Sequence, residues 1–204
     1  MTAAGGAYER VRGQFLDALA GAPPDALATT VPATPDWTVR DVVAHLVGLA
    51  ADLNAQCFPA DDDPAGDAWG AAQVNRRRHA DLPALRAEWD IEGPAFDAGL
   101  QLFGRETECH FVGDLVTHVL DVAEALHIDI PIDATAVDMA LEHYTSFVAE
   151  RLAALGRTMP ASVLDLPPRR RLRLLSARLP LSAVPGAEAL ADVYDGTPYT
   201  FPPG

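Results

Sequence analysis

The chain has 204 residues, nearly half of them hydrophobic, which suits one domain with a proper core. Its formal net charge is −14, and every one of its 15 basic residues is arginine. An acidic surface repels nucleic acid and anionic membrane, and the lack of lysine removes Schiff-base and lysine general-base chemistry.

No apolar run is long enough to span a membrane, and the N-terminus lacks the basic flank and apolar stretch of a secretory signal. The two cysteines, Cys57 and Cys109, form no Cys-x-x-Cys pair. A reducing cytosol therefore fits best, without a disulfide framework. Heavy use of alanine with arginine in place of lysine fits a GC-rich genome.

Residues 7–20 predict a first helix, with Val11, Phe15, Leu16 and Leu19 at helical spacing. Residues 21–37 are proline-rich and read as a connection. Thr38 starts a second helix and stands three before Asp41, a pair suited to a capping box. Val42, Leu46, Leu49 and Leu53 form its apolar stripe, and His45 borders that stripe and so faces inward. Residues 58–68 are an acidic loop without full calcium-loop spacing, and read as solvated. Residues 69–79 and 82–103 predict helix, as one long element interrupted near Pro83. Residues 105–127 are strongly helical, with Val112, Leu115, Val119, Val122 and Leu126 in the stripe and Asp114 and His118 beside it. Residues 134–155 form a last long helix. From Gly156 prolines multiply, and Arg171-Leu172-Arg173-Leu174 alternates like a strand within a basic run that suits a solvated or salt-bridged edge. The predicted organisation is a mainly α bundle over residues 1–155 and a short C-terminal extension over 156–204 packed on it.

Gly-x-Ser-x-Gly, Gly-x-Gly-x-x-Gly, Walker-type and His-Glu-x-x-His motifs are missing, which argues against standard serine hydrolases, nucleotide-binding enzymes and common zinc proteases. Three residues carry a different chemistry. Asp114 and His118 are four apart, on one face of a helix, and His45 comes from another helix. Two imidazoles and a carboxylate make a three-ligand metal site with an open position, as a catalytic zinc needs, and bundles build such sites from facing helices. His79, His127 and His143 read as structural or solvated. His110, four before Asp114, drifts from the stripe and reads as a residue behind the ligands or at the surface.

The segment Pro35-Asp36-Trp37-Thr38-Val39-Arg40-Asp41-Val42-Val43-Ala44-His45-Leu46 resembles the N-terminal signature of the mycothiol-dependent maleylpyruvate isomerase family, within the DinB-like superfamily. Asp114 to Leu126, with its Asp-x-x-x-His-x-x-Asp spacing, looks like the second signature, and Trp69 with Gln73 to Arg78 is similar to the segment between them. The resemblance spans roughly residues 7–155. It implies an up-and-down four-helix bundle, here with an additional helix, holding a divalent metal, usually zinc. The ligands would be His45, Asp114 and His118, with Asp121 behind them orienting a ligand or a backbone group. Trp37 would pack the helix start. Some members have glutamate at the position of Asp114, and many carry a larger C-terminal α/β domain where this chain has about fifty proline-rich residues.

The function so implied is a metal-dependent isomerase or transferase that takes a small-molecule substrate and mycothiol as co-substrate. The metal stabilises the reactive thiolate. Asn75 and one of Arg76, Arg77 and Arg78, of which Arg78 is preferred, would hold a carboxylate on substrate or thiol. Two alternatives stand beside it: a metal-dependent hydrolase or biosynthetic enzyme without thiol, and a non-catalytic bundle that binds a small ligand. Oligomeric state stays open, a homodimer included.

Overall fold

Apolar spacing dictates where the chain coils. In the computed structural model, which describes residues 2–23, 25–63 and 66–195, eight α-helices take up most of those residues. Pro64 and Ala65 of the acidic loop, and the part of the C-terminal extension after Asp195, lie outside the described residues. Helix α1 (Ala3–Ala20) starts at Thr2, whose hydroxyl accepts from the Gly5 amide, and buries Tyr8, Val11, Phe15 and Leu19 along one stripe.

The connection predicted over 21–37 contains a small hairpin. Strand β1 (Thr30–Val31) pairs antiparallel with β2 (Thr34–Thr38), Thr30 opposite Thr38 and Val31 opposite Thr34. Its last residue caps α2 (Val39–Asn54). The Asp41 amide donates to the Thr38 hydroxyl, and the Thr38 amide donates to the Asp41 carboxylate at 2.8 Å. Both halves of the predicted capping box are therefore made.

Helices α3 (Asp67–Arg77) and α4 (Leu82–Gly99) are separate elements, not one interrupted helix. Pro83 lies in the first turn of α4, after Asp81, whose carboxylate accepts from the Ala84 amide. Proline starts a helix there because a first-turn N–H has no intrahelical partner to lose. Helix α5 (Arg105–Leu126) ends on His127 in the left-handed region, at φ 53°. Helix α6 (Ala134–Ala154) is capped by Asp133, which also pairs with Arg10 of α1.

Helix α2 packs on α4, α4 on α1, α1 on α5, and α5 returns to α2, closing a four-helix ring. Helix α6 lies against α5 and α1. The mainly α reading is thus correct. The strand expected at Arg171–Leu174 is not formed: these residues belong to α8 (Pro168–Leu175), which follows the single-turn α7 (Ala161–Leu164) and packs on α6. A four-residue alternation cannot separate the two periods. Pro168 starts the helix, Leu172, Leu174 and Leu175 turn into the core, Arg169 and Arg170 are exposed, and Arg171 and Arg173 are half-buried at its edge. Arg169 pairs with Asp129 and Arg173 with Glu124, so the basic run is salt-bridged. Short 3₁₀ turns at Leu181–Ala183 and Ala187–Tyr194 follow, and one buried apolar cluster runs from α1 to Tyr194.

Two close approaches shape the ring. Arg12 of α1 is buried and pairs with buried Asp97 of α4 at 2.8 Å, its guanidinium lying over Gly93 where a Cβ would sit 2.4 Å from Cζ. Helix α3 lies on α2 at Gly48, where a Cβ would be 2.5 Å from the Cβ of Gln73. That contact brings α3 over the face of α2 that carries His45.

Candidate metal centre

The capping box fixes the start of α2, and His45 follows on its second turn, beside the stripe that packs inward. Asp114 and His118 project from adjacent turns of α5. The structure brings these three side chains together, one donor atom from each lying within 4.8 Å of the other two. His45 Nε2 is 3.7 Å from one Asp114 oxygen, and His118 Nε2 is 3.5 Å from the other. The donors converge without hydrogen-bonding one another, and the buried Asp114 Oδ2 has no hydrogen-bond partner. Buried polar atoms are ordinarily paired. Two imidazole nitrogens and a carboxylate oxygen so arranged could hold a divalent ion with a position left open.

Electrostatics keeps the donors in the form a metal takes. Burial pushes the His118 imidazole down to about 3, against the opposing pull of Asp114. Burial also opposes ionisation of Asp114, but His118, then His45 and His110, outweigh it and hold that carboxyl below the usual range. Both directions leave a carboxylate beside a neutral imidazole at neutral pH, so one ring nitrogen of His118 keeps a lone pair.

Behind the donors lie a hydrogen-bonded chain at His45 and a buried carboxylate near His118. His45 Nδ1 is 2.9 Å from Gln73 Oε1, Gln73 Nε2 donates to Asp52 at 3.1 Å, and Arg76 donates to both Asp52 oxygens at 2.6 Å. His118 Nδ1 faces Asp121 Oδ2 at 3.8 Å. Asp121 is fully buried and pairs with Arg178 at 3.3 Å. Burial pushes the Asp121 carboxyl up, and Arg178 pulls it back. Arg178 also donates to the Ser176 carbonyl at 2.7 Å.

The centre opens into a cavity of about 430 Å³, lined by Trp37, His45, Asp114, His118, Tyr144 and Arg178 among others. That volume suits a small organic ligand. The Trp37 ring lies 5.1 Å from the His45 ring and 6.0 Å from that of His118, so it covers both imidazoles as well as packing the helix start.

Residues 8–112 match the family model described as the mycothiol maleylpyruvate isomerase N-terminal domain. The chain belongs to that family. No curated protein and no solved structure gives a match. The stretch matched by the mycothiol maleylpyruvate isomerase domain covers more than half of the chain and includes His45, Asp52 and Gln73, but it stops just before Asp114 and His118.

Other residues singled out in the sequence lie elsewhere. Asn75 and Arg78 are exposed, bonded to each other at 2.9 Å, and outside the cavity wall. Arg76 holds Asp52, and Arg77 pairs with Glu88 of α4. His110 is exposed and sits 3.3 Å from His143, whose imidazole is pushed down to about 4 by burial and then by His110. His79 and His127 are exposed. The cation that does line the cavity, Arg178, comes from the C-terminal extension, and no short-range pattern marks it. Gln73 lies three after Gly70 and four before Arg77, so spacing puts the three on one face of α3, and the structure shows that this is the face that meets α2.

Proposed function

We propose that this chain is a metal-dependent enzyme that uses a low-molecular-weight thiol, mycothiol by its family, on a small electrophilic substrate. The observation that carries this reading is the convergence of His45, Asp114 and His118 in a cavity walled by Arg178. His45, Asp114 and His118 would hold the ion, most simply zinc. When bound, that ion stabilises a thiolate at neutral pH, the reactive form of a thiol.

The chain's own groups supply the rest. Asp121 and the Ser176 carbonyl hold the Arg178 guanidinium at the cavity wall, where it attracts a carboxylate on substrate or thiol. Trp37 shields the imidazoles from water and presents an apolar face to the substrate. With the carboxylate held, the thiolate adds to an electrophilic carbon of the substrate. The attack opens a C=C bond conjugated to a carbonyl, whose oxygen takes the electron pair as an enolate. Rotation about the resulting single bond and expulsion of the thiolate re-forms the double bond as an isomer, whereas uptake of a proton from solvent at the enolate carbon gives a conjugate.

Cobalt in place of zinc tests this directly. Addition of mycothiol to the cobalt-loaded protein is expected to produce a sulfur-to-cobalt charge-transfer band. A spectrum unmoved by thiol, together with metal-dependent esterase or amidase activity in its absence, would overturn the thiol reading in favour of a hydrolase.

A further inference from the structure

We infer that Gln73 and Asp52 are positioning residues that set which nitrogen of His45 faces the cavity. The inference rests on the metal-site reading for its purpose but on hydrogen-bond logic for its content. Both Asp52 oxygens accept from Arg76, and a carboxylate so held has no hydrogen to give. The end of Gln73 facing it at 3.1 Å must therefore be the amide NH₂. That turns Gln73 Oε1, an acceptor, toward His45 at 2.9 Å, so Nδ1 of His45 carries the proton. Nε2 then keeps its lone pair, and Nε2 is the atom aimed at Asp114.

One group competes for that proton. The Asp114 carboxylate favours an Nε2–H form, but it stands 3.7 Å away, beyond hydrogen-bond reach, whereas Gln73 is in contact. Gln73 is also completely buried, so water cannot replace it and its amide cannot turn without placing oxygen against oxygen at Asp52. Gly48 makes this possible: with no Cβ, it lets Gln73 lie directly on α2.

The test is the tautomer of His45 in metal-free protein, read by long-range proton–nitrogen NMR at about pH 8, where an ordinary imidazole is neutral. Wild type is expected to show protonated Nδ1. Gln73→Met removes the acceptor at similar volume and is expected to shift His45 toward Nε2–H and weaken zinc binding about 10- to 100-fold. Asp52→Asn, which can still accept from Gln73, is expected to give a mixture of tautomers and a smaller loss. A wild-type spectrum with protonated Nε2 would overturn the inference without needing any variant, as would an unchanged tautomer in folded Gln73→Met. Protonated Nδ1 in a chain that binds no zinc would sustain the inference and remove the metal reading instead.

Discussion

Gly48 puts helix propensity and packing in direct opposition, and the sign of one substitution decides between them. Alanine in a helix interior is worth up to about 1 kcal/mol over glycine. At Gly48 the added Cβ would lie 2.5 Å and 2.8 Å from Gln73 Cβ and Cγ and 2.9 Å from Arg77 Nη1. The nearest of these atoms is attached to the α3 backbone, so it cannot swing aside; α3 itself must move from α2. Overpacking of this kind costs about 1–3 kcal/mol, and contact between Gln73 and His45 goes with it. Gly48→Ala is therefore expected to destabilise the chain by about 1–2 kcal/mol net, lowering the melting temperature by about 2–8 °C. Gly13→Ala is the internal control. Gly13 is also within a helix, but nothing lies within 4 Å of its Cβ position. It is expected to gain about 0.5–1 kcal/mol. Thermal unfolding followed by circular dichroism reads both. If Gly48→Ala is stabilised as Gly13→Ala is, the close approach of α3 to α2 is wrong, and so is the placement of Gln73.

Arg12→Met should cost about 3–5 kcal/mol in urea unfolding, because it strands Asp97 as an unpaired buried carboxylate, and adding Asp97→Leu should recover most of that loss. Metal-free protein should lose stability as pH falls below about 6.5, since unfolded histidines take up protons before His118 and His143, which burial holds near 3 and 4. Asp114, depressed in the fold, adds to that loss at lower pH, while two carboxyls raised by burial, Asp97 at about 6 and Asp121, oppose it by taking up protons in the fold first; the two histidines, with the larger shifts downward, are expected to prevail between about pH 7 and about pH 5. Urea midpoints that stay flat or rise from about pH 7 to about pH 5 would contradict this balance. Arg178→Gln should raise KM for a carboxylate-bearing substrate about tenfold or more in steady-state kinetics, and, because it removes the ion partner of buried Asp121, it should also lower the urea midpoint of the chain.

Much of the centre could be read before the structure because its determinants are local. The four-residue spacing of Asp114 and His118 puts them on one face of any helix, and Thr38 with Asp41 starts α2 at a point that turns His45 inward. What could not be read depends on which elements meet. Arg178 reaches the cavity only because α8 packs on α6 and the chain then returns past α5, a route no short pattern encodes. Asn75 shares α3 with Gln73, and Arg78 follows its last turn, yet both are exposed; helical geometry alone does not say which face of α3 meets α2. The supposed strand at Arg171–Leu174 failed because alternation over four residues fits one turn of an amphipathic helix equally well.

The central claim is that His45, Asp114 and His118 form one divalent metal site. Elemental analysis of purified protein tests it, on wild type and on His45→Ala, Asp114→Ala and His118→Ala, each checked for folding by circular dichroism. About one zinc or similar ion per wild-type chain is expected, and its loss in all three folded variants. Wild type that stays metal-free when zinc is added, or three variants that keep the ion, would contradict it.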